Sequence, residues 1–359
     1  MKKTRTDDIG ILKTIWRKDE AGAWAIHDLK GIDLKPTGGC AKDYFTIENN
    51  EMNLMTQRPG HIMNSFFTTF GTTEFLLRQS IVPIVAWVDG DEEVRCIGTG
   101  FFISASGLLL TAAHVIRDPV DEDYASFTKV DDRSYRFDES LRYGVLIPVN
   151  PAMKNAPSPP FQIDPVMREA KWFMCPFEWV QHWGKKVESP LLHEKPEYKL
   201  DLDIAVCKVR EQPSIGNYQP LNIGLHTLNL DDRAVAIGYP QMRNIRLKDD
   251  EYQPELVVSV GSVTAIYPDN ITDKQNATDG PNFEFNAKIP GKMSGSPVVV
   301  GGGIITKGVV SRSLGSNANH ASGCLIASMM ELPLIDDKSL LELMKNGEDG
   351  IPQFVGADA

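Results

Sequence analysis

From Ile81 onward the chain is a succession of short apolar, β-branched runs cut by turn residues. The runs are I-V-P-I-V-A-W-V, G-T-G-F-F-I-S, L-L-L-T-A-A-H-V-I, Y-G-V-L-I-P-V, D-I-A-V-C-K-V and A-V-A-I-G-Y-P. They continue with E-L-V-V-S-V-G-S-V-T-A-I, F-E-F-N-A-K-I, S-P-V-V-V, G-V-V-S-R-S and G-C-L-I-A-S-M. With little helical periodicity between them, such runs predict the strands of an all-β barrel or sandwich. Residues 1–79 differ: they are polar, carry turns at Gly38-Gly39 and Pro59-Gly60, and show a helical pattern only over Asn64–Gln79, so they read as an N-terminal extension. The stretch Asp118–Lys199 interrupts the β series with acids, N-A-P-S-P-P and M-C-P-F-E-W-V-Q-H-W. It reads as a long insertion with some structure of its own, whose Trp172, Phe173, Phe177, Trp179 and Trp183 offer either a partner surface or, the simpler reading, a small core under the insertion. The tail 336–359 holds one helix candidate, Lys338–Lys345.

Composition narrows the function classes. A chain of 359 residues, 42% hydrophobic and 24% charged, has ample material for a core and excludes disordered and collagen-like classes. Lys and Arg number 37 against 48 Asp and Glu, and the net charge of −11 repels phosphate backbones, which argues against nucleic acid as a partner. Cys40, Cys96, Cys175, Cys207 and Cys324 are odd in number, far apart and without a C-x-x-C pair, so free buried thiols are expected. The start M-K-K-T-R-T-D-D lacks the apolar stretch of a signal peptide, and no apolar run approaches the ~18 residues of a membrane span. The expected setting is intracellular and cytoplasmic, with no membrane partner. His27, His61, His182, His193, His226 and His320 show no metal-ligand spacing, and no metal or cofactor is expected. Gly301-Gly302-Gly303 joins two β runs and reads as a hairpin turn.

Candidate chemistry lies at three points of the β series. His114 follows an apolar strand in T-A-A-H-V, and a histidine near neutral pKa can take a proton from a hydroxyl and return it to a leaving amine. In L-D-L-D-I-A-V an acid sits at the mouth of an otherwise buried strand; Asp201 and Asp203 share a face by alternation, so either can point at His114. In G-K-M-S-G-S-P-V-V-V, Ser294 precedes Gly295, which permits close backbone approach, and then a buried run. Base, carboxylate and nucleophile thus come in the order His, Asp, Ser.

With G-T-G-F-F-I-S before the histidine strand and V-A-I-G-Y-P between acid and serine, roughly Ile81–Pro333 resembles the chymotrypsin-fold serine peptidases, among them the trypsin-like peptidases that include the HtrA-type enzymes. The resemblance implies two six-stranded antiparallel β-barrels in a peptidase domain 80–335: barrel 1 over about 80–210 with the insertion 118–199, barrel 2 over about 215–335. It implies Ser294 as nucleophile, His114 as general base and Asp203 as acid, with Asp201 in reserve, and a serine endopeptidase acting on polypeptides through an acyl-enzyme. It also implies an oxyanion hole from the backbone N–H groups of Lys292 and Ser294. The family usually has glycine where this chain has Lys292, and a side chain there resists the peptide orientation glycine permits. Two rival readings follow: a catalytically silent module that binds a peptide strand, and a peptidase idle until a regulatory partner orders its oxyanion loop. Lys288, Ser311, Arg312 and His320 are expected around the substrate. A basic side chain facing the pocket selects a carboxylate on the residue before the scissile bond; if these groups face solvent by strand alternation, the pocket is small and apolar. The length of the insertion further suggests that it borders the cleft and tunes substrate range or regulation.

Overall fold

The computed structural model describes residues 10–18, 24–34, 45–48, 51–54, 61–63, 79–87, 93–117, 127–129, 134–137, 143–148, 172–187, 197–210, 218–224, 228–240, 242, 244–246, 256–268, 278, 280–300, 305–314, 319–334 and 337–346. The apolar runs become strands because each carries side chains that can be buried only by pairing its backbone. The first group is β1 (Gly10–Lys18), β2 (Trp24–Leu34), β3 (Phe45–Glu48), β4 (Glu51–Leu54) and β5 (His61–Met63). Next come β6 (Ile81–Trp87), β7 (Glu93–Phe102), β8 (Leu108–Thr111), β9 (Phe127–Lys129), β10 (Ser134–Phe137), β11 (Tyr143–Pro148), β12 (Trp172–Val187) and β13 (Glu197–Val209). The last group is β14 (Asn222–Ile223), β15 (Arg233–Gly238), β16 (Ile245–Arg246), β17 (Val257–Tyr267), β18 (Asn282–Phe285), β19 (Pro297–Val300), β20 (Ile305–Ser313) and β21 (Ala321–Leu325).

Two closed antiparallel barrels of six strands result, as expected. In the first, the order β11-β6-β7-β8-β13-β12 closes through pairing of β11 with β12. In the second, β20-β19-β15-β17-β18-β21 closes through β20 and β21. Closure leaves no barrel strand with an unpaired edge along its whole length. The first barrel is filled by Phe101, Leu110, Tyr143, Val145 and Ile204, all fully buried, and each large aliphatic or aromatic side chain so buried contributes about 1.5–3 kcal/mol. The second is filled by a separate cluster around Phe283 and Phe285, whose rings lie 5.5 Å apart.

The stretch 118–199 plays a larger part than an insertion. It supplies the whole of β11 and β12, and without them the first barrel could not close. Its aromatics accordingly join the main core: Phe177 and Trp183 are buried there and the half-buried Trp179 packs against them, while the side chains of Trp172 and Phe173 fall outside the described residues. The N-terminal extension also reaches the body, for β5 pairs with Val258–Val260 of β17. The helix expected over Asn64–Gln79 falls almost wholly outside the described residues, as do Gly301-Gly302-Gly303. The C-terminal helix runs Leu340–Asn346, close to its expected span, and a reciprocal cap explains its start: Ser339 N–H donates to Glu342 Oε2 at 2.8 Å and Glu342 N–H to Ser339 Oγ at 3.2 Å.

The seam between the barrels is polar at a few fixed points. Tyr239, just after β15, donates its hydroxyl to the Ile81 carbonyl at 3.1 Å and its N–H to Thr99 Oγ1 at 3.1 Å, while Thr99 N–H reaches the Ser294 carbonyl at 2.9 Å. Replacing residues 131–186 by a short linker removes two barrel strands, so the shortened chain should lose its cooperative thermal transition by circular dichroism; a transition like that of the parent would contradict the barrel assignment.

Candidate active site

His114 lies on the short helix Ala113–Arg117 that follows β8, and Asp203 lies in β13 of the same barrel. His114 Nδ1 is 2.8 Å from Asp203 Oδ2 and 3.1 Å from Oδ1, and the His114 backbone N–H donates to Oδ1 at 3.0 Å. The histidine side chain is 25% exposed, the aspartate 0%. Burial alone pushes the Asp203 carboxyl up, yet the hydrogen bond and charge of His114, the Ser311 hydroxyl and the His114 N–H outweigh it and hold the group below the usual carboxylate range. An ionised carboxylate only accepts, so Nδ1 of His114 carries the hydrogen and, in the neutral ring, Nε2 is the acceptor.

The neighbouring acid is elsewhere: Asp201 is exposed. Alternation fails between the two because the pairing of β12 with β13 breaks there, His182 facing Ala205 while Gly184 faces Leu200. The residues skipped by this irregularity include both acids, and Leu202 through Cys207 are all buried.

Ser294 belongs to the second barrel, in the turn that leads into β19. The turn is fixed from several sides: Met293 N–H donates to the Pro290 carbonyl at 3.3 Å, Ser296 N–H to Met293 at 3.0 Å, Gly295 N–H to Val310 at 2.8 Å and Val310 N–H to Ser296 at 2.9 Å. Gly295 has φ +88°, and a Cβ there would sit 2.0 Å from the Thr99 carbonyl oxygen, so only glycine fits where β7 presses on the turn. The Ser294 hydroxyl donates to the Ser311 carbonyl at 2.8 Å, and the Ser311 hydroxyl donates to Asp203 Oδ2 at 2.5 Å. Ser311, in β20, therefore joins the serine of one barrel to the acid–histidine pair of the other.

Lys292 takes φ +72°, the left-handed conformation that the sequence led one to doubt for a residue with a side chain. Such a conformation costs an L-residue about 1–2 kcal/mol. Its carbonyl accepts from Thr99 Oγ1 at 3.0 Å and its ammonium donates to the Met242 carbonyl. Of the other residues expected near substrate, Lys288 is exposed with its carbonyl taking the Ser259 hydroxyl, and Arg312 is half-buried. His320 Nε2 lies 3.0 Å from Glu284 Oε2. Two contributors went unnoticed in the sequence: the bond from Ser311 to the acid, and Thr99. Each is a hydroxyl inside a buried strand, V-V-S and G-T-G, where a polar group needs a partner. No group of acids, histidines and cysteines suited to a metal ion occurs among the described residues.

Paired six-stranded barrels with a histidine and a buried aspartate on one and a serine on the turn of the other define the chymotrypsin-like class. Residues 98–303, more than half of the chain, match the trypsin-like peptidase domain, and the chain belongs to that family. Among solved structures, it is similar to the active form of the Rv3671c protease from M. tuberculosis (17% identity, TM-score 0.36, covering 78% of this chain and 84% of that one). It is also similar to Deg5 (17%, TM-score 0.40, 71% and 88%) and to the HtrA-type protease AlgW with a decapeptide (12%, TM-score 0.35, 71% and 63%). No curated protein matches the chain in sequence.

Because the Asp203 carboxyl is held below its unfolded value, its pairing contributes stability that is complete above about pH 4 and is lost as pH falls through the folded value. Urea unfolding across this range should show the stability advantage of the parent over Asp203→Asn shrinking with acidity. An advantage independent of pH would contradict the ionised pairing.

Proposed function

We propose that the protein is an intracellular serine endopeptidase in which Ser294 attacks the peptide carbonyl, His114 takes its proton and Asp203 orients the imidazole. One observation carries this reading: Ser311 brings Ser294 to the His114–Asp203 pair across the seam of two barrels of a peptidase family, its hydroxyl bonded to Asp203 and its carbonyl to the Ser294 hydroxyl. With Nδ1 committed to Asp203, Nε2 of His114 is the acceptor for the serine proton and later returns it to the leaving amine. The acyl group remains on Ser294 Oγ until a water, deprotonated by the same nitrogen, attacks it. The N–H groups of Lys292 and Ser294 stabilise the oxyanion formed at each attack. The substrates are polypeptides. A cytoplasmic setting is supported by Cys96, Cys175, Cys207 and Cys324, which are free and buried, burial pushing the Cys96 thiol up to about 12.

A second reading has its own support. Because Ser294 donates to the Ser311 carbonyl, its hydroxyl must turn before it can give a proton to His114, as in a peptidase that idles until substrate or a regulatory protein occupies the site. A fluorophosphonate probe separates the readings: an active enzyme is labelled at Ser294 alone, an idle one only after a partner is added, and a silent binding module never. In the active enzyme, Ser294→Ala and His114→Ala should each lower peptide hydrolysis on the order of 10⁴-fold or more, and Asp203→Asn nearly as much. Asp201→Asn should be mild. Equal losses for the two acids would refute the assignment of the orienting carboxylate.

The pocket for the residue before the scissile bond is proposed to be small and apolar. The exposure of Lys288 and the engagement of His320 by Glu284 support this, while Ile289 and Ala321 are buried nearby in sequence. Fluorogenic peptides with Ala, Val or Leu at that position should be cleaved well and those with Glu or Asp poorly. The reverse order would place a basic group in the pocket.

A further inference from the structure

Arg312 stands next to Ser311 in β20, and a bulge turns both of them the same way. Val310 faces Gly323 of β21 and Arg312 faces Ser322, so Ser311 is the extra residue between the two pairs. Val310 and Ala321 belong to the cluster inside the second barrel, and a Cβ on Gly323 would meet the Phe283 ring there. Ser322, between Ala321 and Gly323, therefore points out of the barrel, and Arg312 opposite it shares that face. The face looks at the first barrel: the Ser322 hydroxyl meets Thr278 Oγ1 at 2.5 Å, and a Cβ on Gly280 would sit 2.5 Å from the Asp201 carbonyl oxygen and 2.9 Å from Leu202 Cα. Arg312 is half-buried on this face, and among the described residues no ion pair or side-chain hydrogen bond engages its guanidinium. A fork of five donors is thus kept partly from water with no acceptor supplied by those residues.

The open edge of β20 runs past the same residue. β19 and the residues before it pair with β20 only as far as Val310, whose N–H and carbonyl meet Ser296 and Gly295, and no strand among the described residues continues along Ser311–Ser313 on that side. The Ser311 carbonyl lies 2.8 Å from the Ser294 hydroxyl, so a substrate residue whose carbonyl carbon is within reach of Ser294 Oγ lies beside Ser311. We propose that Arg312 selects a carboxylate side chain, Glu or Asp, on the second residue before the scissile bond. This rests on the proposed peptidase reading. A substrate strand laid on the open edge antiparallel to β20, as β19 is, has its attacked residue beside Ser311 and its preceding residue opposite Arg312, and opposite residues of an antiparallel pair share a face. A planar guanidinium takes a carboxylate through two parallel bonds, and half-burial keeps the pair from full screening by water. The net charge of −11 opposes acidic peptides at long range, where salt screens it beyond about 8 Å, whereas this contact is direct. The carboxylate so chosen lies one residue away from the side chain that enters the small apolar pocket proposed above, so the two preferences are independent.

The test is a set of fluorogenic peptides with Ala before the scissile bond, differing only in the residue that precedes that Ala: Glu, Gln or Lys. In the parent, kcat/KM for the Glu peptide should exceed that for Gln about 10-fold, and that for Lys by more. Arg312→Gln should bring the ratio of Glu to Gln close to one. Arg312→Glu should favour Lys over Glu, a reversal that misfolding cannot produce. Lys307→Gln, elsewhere on β20, should leave the ratios of the parent unchanged. Equal turnover of the three peptides by the parent, or a preference for Glu that persists in both Arg312 variants, overturns the inference and leaves the peptidase reading standing. If no peptide is cleaved, that reading falls, and binding of the same peptides to the Ser294→Ala protein, followed by fluorescence anisotropy, decides the inference alone. Tighter binding of the Glu peptide that is lost on adding Arg312→Gln upholds it; equal binding of all three overturns it.

Discussion

A carboxylate buried without partners costs several kcal/mol, so the complete burial of Asp203 requires that both of its oxygens be hydrogen-bonded. Two claimants come from its own barrel, the ring and the backbone N–H of His114, and the third is the Ser311 hydroxyl of the other barrel. The charge is therefore satisfied only when the two barrels are docked in one register. The seam is thus specified by a polar requirement, while the apolar clusters, the larger of which runs from Val145 and Ile204 of the first barrel to Val235 and Val309 of the second, supply the bulk of the stabilisation without fixing the alignment so closely.

Around that carboxylate the two barrels hold each other through backbone groups. β7 touches the serine turn twice, by the Thr99 N–H on the Ser294 carbonyl and by the Thr99 hydroxyl on the Lys292 carbonyl, and its Thr99 carbonyl abuts Gly295. Bonds of this kind survive changes of side chain elsewhere, which lets the turn keep its shape although its sequence departs from the family at Lys292. Thr99 is the economical element here, because one hydroxyl both donates to the turn and accepts from the segment that follows β15.

Much of this was legible in the sequence. The apolar runs from Ile81 onward became strands, and His114, Ser294 and the pair Asp201 and Asp203 could be picked out because each is polar and set against a buried run, with only the family resemblance favouring Asp203. Two things hid the rest. The strand β12 is written in aromatics and polar residues instead of alternating aliphatics, and its length and flanking acids made it look like part of an inserted segment; only the closure of the barrel shows what it is for. The choice between Asp201 and Asp203 could not be made from alternation, since an irregularity of pairing falls between His182 and Gly184, just opposite them. The pairing of β5 with β17 was equally out of reach, because a three-residue strand in a polar stretch has no periodicity to read.

Ser311 combines two duties in one residue, and they are chemically independent. Its side chain serves Asp203 and its backbone carbonyl holds the hydroxyl of Ser294, so Ser294 can leave that carbonyl without disturbing the acid–histidine pair. The turn beneath Ser294 is braced by Thr99, Val310 and the bond from the Lys292 ammonium to Met242, and none of those bonds involves the serine hydroxyl. On the peptidase reading, the step from rest to reaction is then the rotation of one hydroxyl about a fixed backbone.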